Sequence, residues 1–323
     1  MNAIAQHVSR RPGVVAVHSV DHFVLTVPDL LVAEKFYVAF GLDVRRTGHG
    51  EGARLDLYTF GHPHRWATVL QAGERKQLQY FSFGIYSDDE PVFRQRISER
   101  GIGTAPHPLG DGKGLWLRDP DGTAVQLVVA GKVSPSAPSP ASAVPPVPPG
   151  QGAAPSRSKV APVHPRYLSH ILKFTPDVTA QVEFCTSFLG LRLSDHSGDI
   201  IAFNHTPHGS DHHLLAFAKS HAPGLHHSSW DVGSADEVGK GMEQMRNAGW
   251  GKGWGVGRHV LGSNFFNYVE DPWGSFCEYS AGIDFIPPDL DWPAADHPPE
   301  DSLYVWGPAV PENFISNQEQ PAL

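Results

Sequence analysis

VDHFVLTVPDLLVAEKFYVAFGLDVRR (20–46) and LSHILKFTPDVTAQVEFCTSFLGLRLSD (168–195) are the two stretches that decide the fold. Each begins with a β-like apolar run carrying a histidine at its third position, His22 and His170. Pro-Asp follows, then an amphipathic stretch, then Gly-Leu and a second strand-like run. Asp29 and Asp177 stand where an N-cap belongs, so each stretch predicts strand, helix, strand. A second pair repeats the theme: LQYFSFGIYSDDEPVFRQRISERG (78–101) against LHHSSWDVGSADEVGKGMEQMRNAG (225–249). A third pair, RDPDGTAVQLVVAG (118–131) and EDPWGSFCEYSAG (270–282), reads as an Asp-Pro-X-Gly turn into a closing strand. A duplication of a duplication follows. The chain reads as four units of strand, helix and about three strands, an α+β fold with mixed sheets.

The 323 residues suit roughly two domains. The Pro/Ala/Ser-rich segment 131–165 holds ten prolines and no aromatic residue. It cannot bury enough apolar surface to offset its ordering entropy, so it is expected to be an extended linker. It separates an N-terminal domain (15–130) from a C-terminal domain (166–283), and a Pro-rich tail (284–323) follows. That tail is expected to lack regular structure and to wrap the C-terminal half, cover its mouth or contact another subunit.

Composition excludes several classes. Hydrophobic residues at 40% and charged residues at 18% describe a globular chain. The net charge of −9 argues against a nucleic-acid partner, whose footprint is basic. No apolar run approaches membrane-spanning length, and the N-terminus has no apolar leader. Cys185 and Cys277 are too few and too distant for a disulfide scaffold or an all-Cys metal site, so a reducing cytoplasm is expected. Nineteen histidines without a cysteine cluster suit either hard or borderline metal chemistry or a histidine-rich surface, and composition alone does not choose between them.

His170, His227 and Glu278 fall on repeat-equivalent strands of the second half. A lone strand histidine is ordinarily a core or surface residue. Three ligand-type side chains at equivalent positions can converge, and two imidazoles with one carboxylate form the facial triad of non-haem Fe(II) oxygen chemistry. Strand alternation is expected to turn Cys277 away from Glu278, and His226 away from His227.

The C-terminal half resembles type I extradiol ring-cleaving dioxygenases, catechol 2,3-dioxygenase-like, of the vicinal oxygen chelate superfamily. LSHILKF around His170, HHLLAF around His213, LHHSSW around His227 and GRHVLGSNFFNYVEDPWGSFCE (257–278) carry the resemblance. Asn267 departs from it, since the family usually has an apolar residue before the tyrosine. The resemblance implies two glyoxalase/bleomycin-resistance-like domains, of which only the second is catalytic. It assigns His170, His227 and Glu278 to the metal and His213, rather than His212, to acid–base work. It assigns His259 and Tyr268 to the bound substrate. The metal would be Fe(II), with Mn(II) as the alternative, and O2 the co-substrate. The partner would be a small aromatic diol, with neither nucleic acid nor membrane involved, and the family habit is a homo-oligomer.

The first half keeps His22, but Tyr80 and Gln126 stand at the other two ligand positions, so no metal is expected there. Some relatives that cleave carboxylated catechols carry an Arg where this chain has Trp254, which favours an apolar or aromatic substituent, although Lys252 lies close by. Trp230, Trp250, Trp254 and Phe265 are candidates for the pocket wall, although core packing is the commoner role of such residues. Alternatives are hydroquinone cleavage, 2-oxo-acid-dependent oxygenation, glyoxalase-type isomerisation, and metal-dependent binding without catalysis. The last three do not need His213, His259 and Tyr268 together, while hydroquinone cleavage stays open.

Overall fold

The computed structural model of the protein describes residues 9–142 and 147–319. Residues 1–8, and 143–146 of the expected linker, lie outside the described residues. The first half runs β1 (Ser19–Val27), α1 (Leu30–Ala39), β2 (Asp43–Thr47), β3 (Arg54–Tyr58), β4 (Ala67–Gln71), β5 (Gln77–Ile85), α2 (Glu90–Arg100), β6 (Leu115–Arg118) and β7 (Ala124–Val129). These strands form one mixed sheet in the order β2-β3-β4-β1-β5-β7-β6.

The second half runs β8 (Leu168–Thr175), α3 (Val178–Phe184), β9 (Arg192–Ser197), β10 (Ile201–His205), β11 (Ser210–Asp211) and β12 (Leu215–Lys219). It continues with β13 (Gly224–Asp231), α4 (Ala235–Asn247), β14 (Gly253–His259), β15 (Phe265–Glu270) and β16 (Phe276–Ala281). The larger sheet has the core order β9-β10-β12-β8-β13-β16-β15-β14. The two halves share one logic. The first strand of each unit pairs in parallel with its last, and the two units of a half meet antiparallel, β1 with β5 and β8 with β13.

Local chemistry accounts for these elements. The Asp29 carboxylate accepts from the amides of Leu31 and Val32, and that of Asp177 from the amide of Ala180. Both are the N-caps expected from the Pro-Asp pairs. Gly41 (φ 94°) and Gly190 (φ 75°) turn the chain after α1 and after the π-helical turn that ends α3. A β-carbon at either would meet a backbone oxygen, of Val163 or Val15 respectively. Only glycine meets both demands. One unit departs from the expected pattern. Between α2 and β6 an isolated bridge, Gly103 with Leu117, takes the place of a third strand. Pro106 and Pro108 remove ladder donors there.

The tail corrects the expectation of no regular structure. It contains β17 (Phe285–Ile286), β18 (Ala295–Asp296), α5 (Pro299–Ser302) and β19 (Tyr304–Trp306). β18 extends the larger sheet beyond β9, and β19 extends it beyond β14. These strands are two or three residues long, which is the length that fits between the prolines. The described part of 131–165 carries one 3₁₀ turn and neither strand nor α-helix. It is pinned to the C-terminal half by Ser142 N on Gly233 O (2.7 Å) and Val163 N on Gln244 Oε1 (2.8 Å).

Buried polar contacts join the halves. Tyr279 donates to Phe40 O (2.8 Å) and stacks on the Phe40 ring. The fully buried Lys173 ammonium bridges Asp119 and Asp121 of the first half. Burial still pushes the Asp119 carboxyl up, with the ammonium only partly offsetting it. Lys173→Ala is therefore expected to destabilise the protein by about 3–5 kcal/mol, read as a lower urea midpoint at unchanged slope.

Glu319, near the end of the tail, accepts from the amides of Leu78 and Leu225. Burial pushes its carboxyl up to about 7, and that of Asp211 likewise to about 7. In this range the folded state holds a proton that the unfolded chain has released. Each group therefore contributes stability that grows as pH falls from about 7 toward 4.5, by about 1.4 kcal/mol per pH unit. His18, His205, His208 and His226, which burial keeps neutral when folded, contribute in the opposite direction. Glu319→Gln should remove one of the two carboxyl contributions, so that the stability difference between wild type and variant in denaturation curves widens in favour of wild type as pH falls across this range.

Candidate metal centre and its cavity

The register of three adjacent strands builds the centre. β13 lies between β8 and β16, and Ser229 on β13 stands opposite both His170 and Glu278. His227 lies two residues before Ser229 and shares its face. All three candidate ligands are buried. His170 Nε2 is 3.3 Å and His227 Nε2 3.7 Å from Glu278 Oε2, and the three potential ligand atoms lie within 4.8 Å of one another. This is the one such group among the described residues.

The donor set fits a divalent cation. His227 Nε2 and Glu278 Oε2 are buried without a hydrogen-bond partner, an arrangement that a bound cation would satisfy. Burial holds the His227 imidazole well below its ordinary range, so its lone pair is free. For Glu278, burial pushes the carboxyl up, but the His170 imidazole beside it outweighs that and the net direction is down. Asn264 Nδ2 donates to Glu278 Oε1 (3.1 Å) and to Ser280 Oγ (2.9 Å), fixing the carboxylate plane.

His213, His259 and Tyr268 surround the same point. The His213 ring lies 4.0 Å from the His170 ring, centroid to centroid. His259 Nδ1 is 2.8 Å from Leu303 O, which can only accept, so this nitrogen carries the proton. Its Nε2 is then an acceptor, and Tyr268 Oη donates to it at 2.9 Å. Burial pushes the Tyr268 phenol well above its usual range, so it stays protonated. His212 sits behind His213, with Nε2 2.8 Å from Asp195 Oδ2.

These groups floor a cavity of about 210 Å³. Leu172, Phe203, Ala218 and Leu261 form its walls, and the tail supplies Pro299, Leu303, Phe314 and Ile315. The tail thus wraps the second half and covers its mouth. Lys219 is the only lysine or arginine in the lining, and it is paired with Asp199.

The expected wall residues lie elsewhere. Trp230 and Phe265 alternate away from His227 and Tyr268 and pack into the core on the helix side of the sheet. Trp250 meets the ring of Phe36 edge-on. Trp254 is on the cavity side but lies behind it, stacked on Tyr268 and roofed by Phe314. His226 is a further correction. A β-bulge between Leu225 and His227 breaks the alternation, and both histidines line the cavity. His226 Nδ1 lies 2.7 Å from His227 Nδ1, and its ring packs on Phe174, Phe276 and Phe314. Cys277 turns away as expected, toward Ser228 Oγ.

The first half repeats the register with other side chains. Ser82 stands opposite both His22 and Gln126, as Ser229 does opposite His170 and Glu278. His22 Nε2 meets Tyr80 Oη at 3.3 Å, and Gln126 donates to Asp111.

Two βαβ-repeat halves, with a buried His/His/Glu group on one sheet, define a metal-centre class of protein on a duplicated scaffold. The profile of the Glyoxalase/Bleomycin resistance protein/Dioxygenase superfamily matches residues 167–279. Metapyrocatechase 2 of Cupriavidus necator is 53% identical over 305 residues, 94% of this chain and 93% of that protein. The chain belongs to this superfamily. Among solved structures, an extradiol ring-cleaving dioxygenase from B. fuscum superposes with a TM-score of 0.74 at 20% identity, over 96% of this chain and 85% of that one. The Mn(II)-bound glyoxalase from Novosphingobium aromaticivorans gives 0.73 at 22%, over 95% and 97%. At these identities the two structures speak to the fold alone.

The centre predicts one divalent ion per chain by elemental analysis. His170→Ala, His227→Ala and Glu278→Ala should each lower metal affinity at least about 10²-fold, while His22→Ala should leave it unchanged. Retained stoichiometric binding in any of the three would remove that residue from the ligand set.

Proposed function

We propose that the protein is an extradiol dioxygenase that opens a catechol-type ring with O2, with Fe(II) held by His170, His227 and Glu278. The observation that carries this reading is the meeting of that trio with His213, His259 and Tyr268 around one cavity. The relationship to metapyrocatechase 2 supports the same activity. When bound, Fe(II) supplies Lewis acidity toward two vicinal oxygens and a site for O2.

The chain's own groups do the remaining work. His213, kept neutral by burial, takes the proton of the second substrate hydroxyl and later returns it. The Tyr268 hydroxyl, placed by its contact with His259 Nε2, turns to donate to the substrate oxygen and fixes its distance and orientation. Leu172, Phe203, Leu261 and Phe314 exclude water. Both oxygen atoms end in the product, with the ring broken beside the diol.

The cavity also supports a substrate class. A void of about 150 Å³ admits benzene, so about 210 Å³ suits a single ring with a small substituent. Its walls are apolar, and its one lysine is already paired, which disfavours a carboxylated side chain. The second half is read as the catalytic domain and the first as its scaffold. A cytoplasmic setting suits the two free, buried cysteines. The working form is proposed to be a homo-oligomer.

The test is O2 uptake by anaerobically Fe(II)-loaded protein offered a catechol panel. Uptake with a yellow ring-fission product is expected, methyl- or chloro-substituted catechols being favoured over carboxylated ones. His213→Ala should lower kcat about 10²–10⁴-fold with metal content intact. No uptake with any catechol by fully loaded protein would overturn the reading.

A further inference from the structure

His212 and Asp195 have no role in the reading above, yet they form a buried chain that ends on His213. Asp195 Oδ2 lies 2.8 Å from His212 Nε2, and His212 Nδ1 lies 3.0 Å from His213 Nδ1. Phe203 packs against both imidazoles, and Trp292 meets the His212 ring edge-on. Ser194 Oγ donates to His212 O and so fixes its backbone. We propose that Asp195 and His212 are positioning residues that hold His213 as the Nδ1–H tautomer, leaving its Nε2 lone pair for the substrate. The inference deepens the dioxygenase reading and rests on it for the role of His213.

The polarity of each hydrogen bond dictates the next. Asp195 has four donors around it: His212 Nε2 and Trp292 Nε1 (3.1 Å) on Oδ2, Ala295 N (3.0 Å) and His297 Nε2 (3.0 Å) on Oδ1. Burial alone would push this carboxyl up, but the hydrogen bonds from His212, His297 and the Ala295 amide bring it down to about 2. Ionised, it can only accept. His212 Nε2 must therefore carry a proton. In the neutral imidazole Nδ1 is then a lone pair, which must be met by a donor. The group facing it is His213 Nδ1, so that nitrogen carries the proton and Nε2 is bare. A general base in this cavity needs that form, because the other tautomer would present N–H to a substrate hydroxyl that has a proton to give up.

The wild-type chain gives the first readout. In metal-free, full-length protein labelled with ¹⁵N-histidine, long-range ¹H–¹⁵N correlations report which ring nitrogen is protonated. His213, assigned by its loss in His213→Ala, is expected as Nδ1–H and His212 as Nε2–H. Finding His213 as Nε2–H would overturn the proposal. Asp195→Asn offers an amide donor in place of an acceptor-only oxygen and should shift His213 toward Nε2–H. An unchanged tautomer would overturn it equally.

Kinetics supply the second readout. His212→Ala should lower kcat about 10²-fold with the KM for catechol and the metal content held. His212→Gln, whose carbonyl can accept from His213 Nδ1–H, should recover part of that loss. The His212→Ala/His213→Ala double variant should be no slower than His213→Ala alone, since both act through one group. Losses that multiply, or no recovery with glutamine, would mean that His212 acts only as packing. Should the wild type cleave no catechol while His213 is Nδ1–H, the dioxygenase reading falls and the tautomer assignment stands.

Discussion

The parallel pairing of β13 with β16, beside the antiparallel pairing of β13 with β8, is the constraint on which the centre depends. It places Ser229 opposite His170 on one side and opposite Glu278 on the other. The hydroxymethyl group of Ser229 is small enough to leave room between them. A one-residue slip in either pairing would turn a ligand to the helix side of the sheet. The carboxylate of Glu278 is fully buried, which carries a desolvation cost of several kcal/mol if nothing compensates. Asn264 and the imidazole of His170 supply part of that compensation. The unpartnered Oε2 leaves the rest to a cation.

The first half isolates what the frame does without its chemistry. Its strands repeat the same register around Ser82, yet a phenol and an amide occupy two of the three positions. His22 is then consumed by Asp21 and Tyr80. The backbone is compatible with a metal centre in both halves, and side-chain identity decides which half can hold one. The first half instead supplies Asp119 and Asp121 to the buried Lys173 and the Phe40 carbonyl to Tyr279. It thereby braces β8 and β16, which carry His170 and Glu278.

Those residues were legible in the sequence because a repeat fixes equivalent positions even where their chemistry differs. His170, His227 and Glu278 could be placed on matching strands, and the motif around Gly257–Glu278 brought His259 and Tyr268 with them. The bulge at His226 was hidden, because alternation is a rule of regular ladders and one inserted residue cancels it. The tryptophans were misplaced for the opposite reason. Trp230 obeys alternation from His227, and a reading by residue type alone passed over it. Asn264 carries no motif of its own, and only the fold brings it to Glu278 across the β15–β16 pairing. The strands of the tail are too short for any periodicity to reveal them.

That tail explains why the cavity is more than a property of the repeat. A proline-rich segment lacks donors and cannot complete a ladder with itself, so its polar groups must dock elsewhere. Here they dock on the centre. Leu303 O fixes the tautomer of His259, and Trp292, Ala295 and His297 grip the carboxylate behind His212. Phe314 and Ile315 roof the space between. Glu319 closes the path by joining backbone amides of β5 and β13. The same carboxylate and the same imidazole therefore anchor the tail and orient the groups that face the cavity. Order in the tail and order at the centre are thereby coupled, because the tail's hydrogen bonds end on the imidazole of His259 and the carboxylate of Asp195.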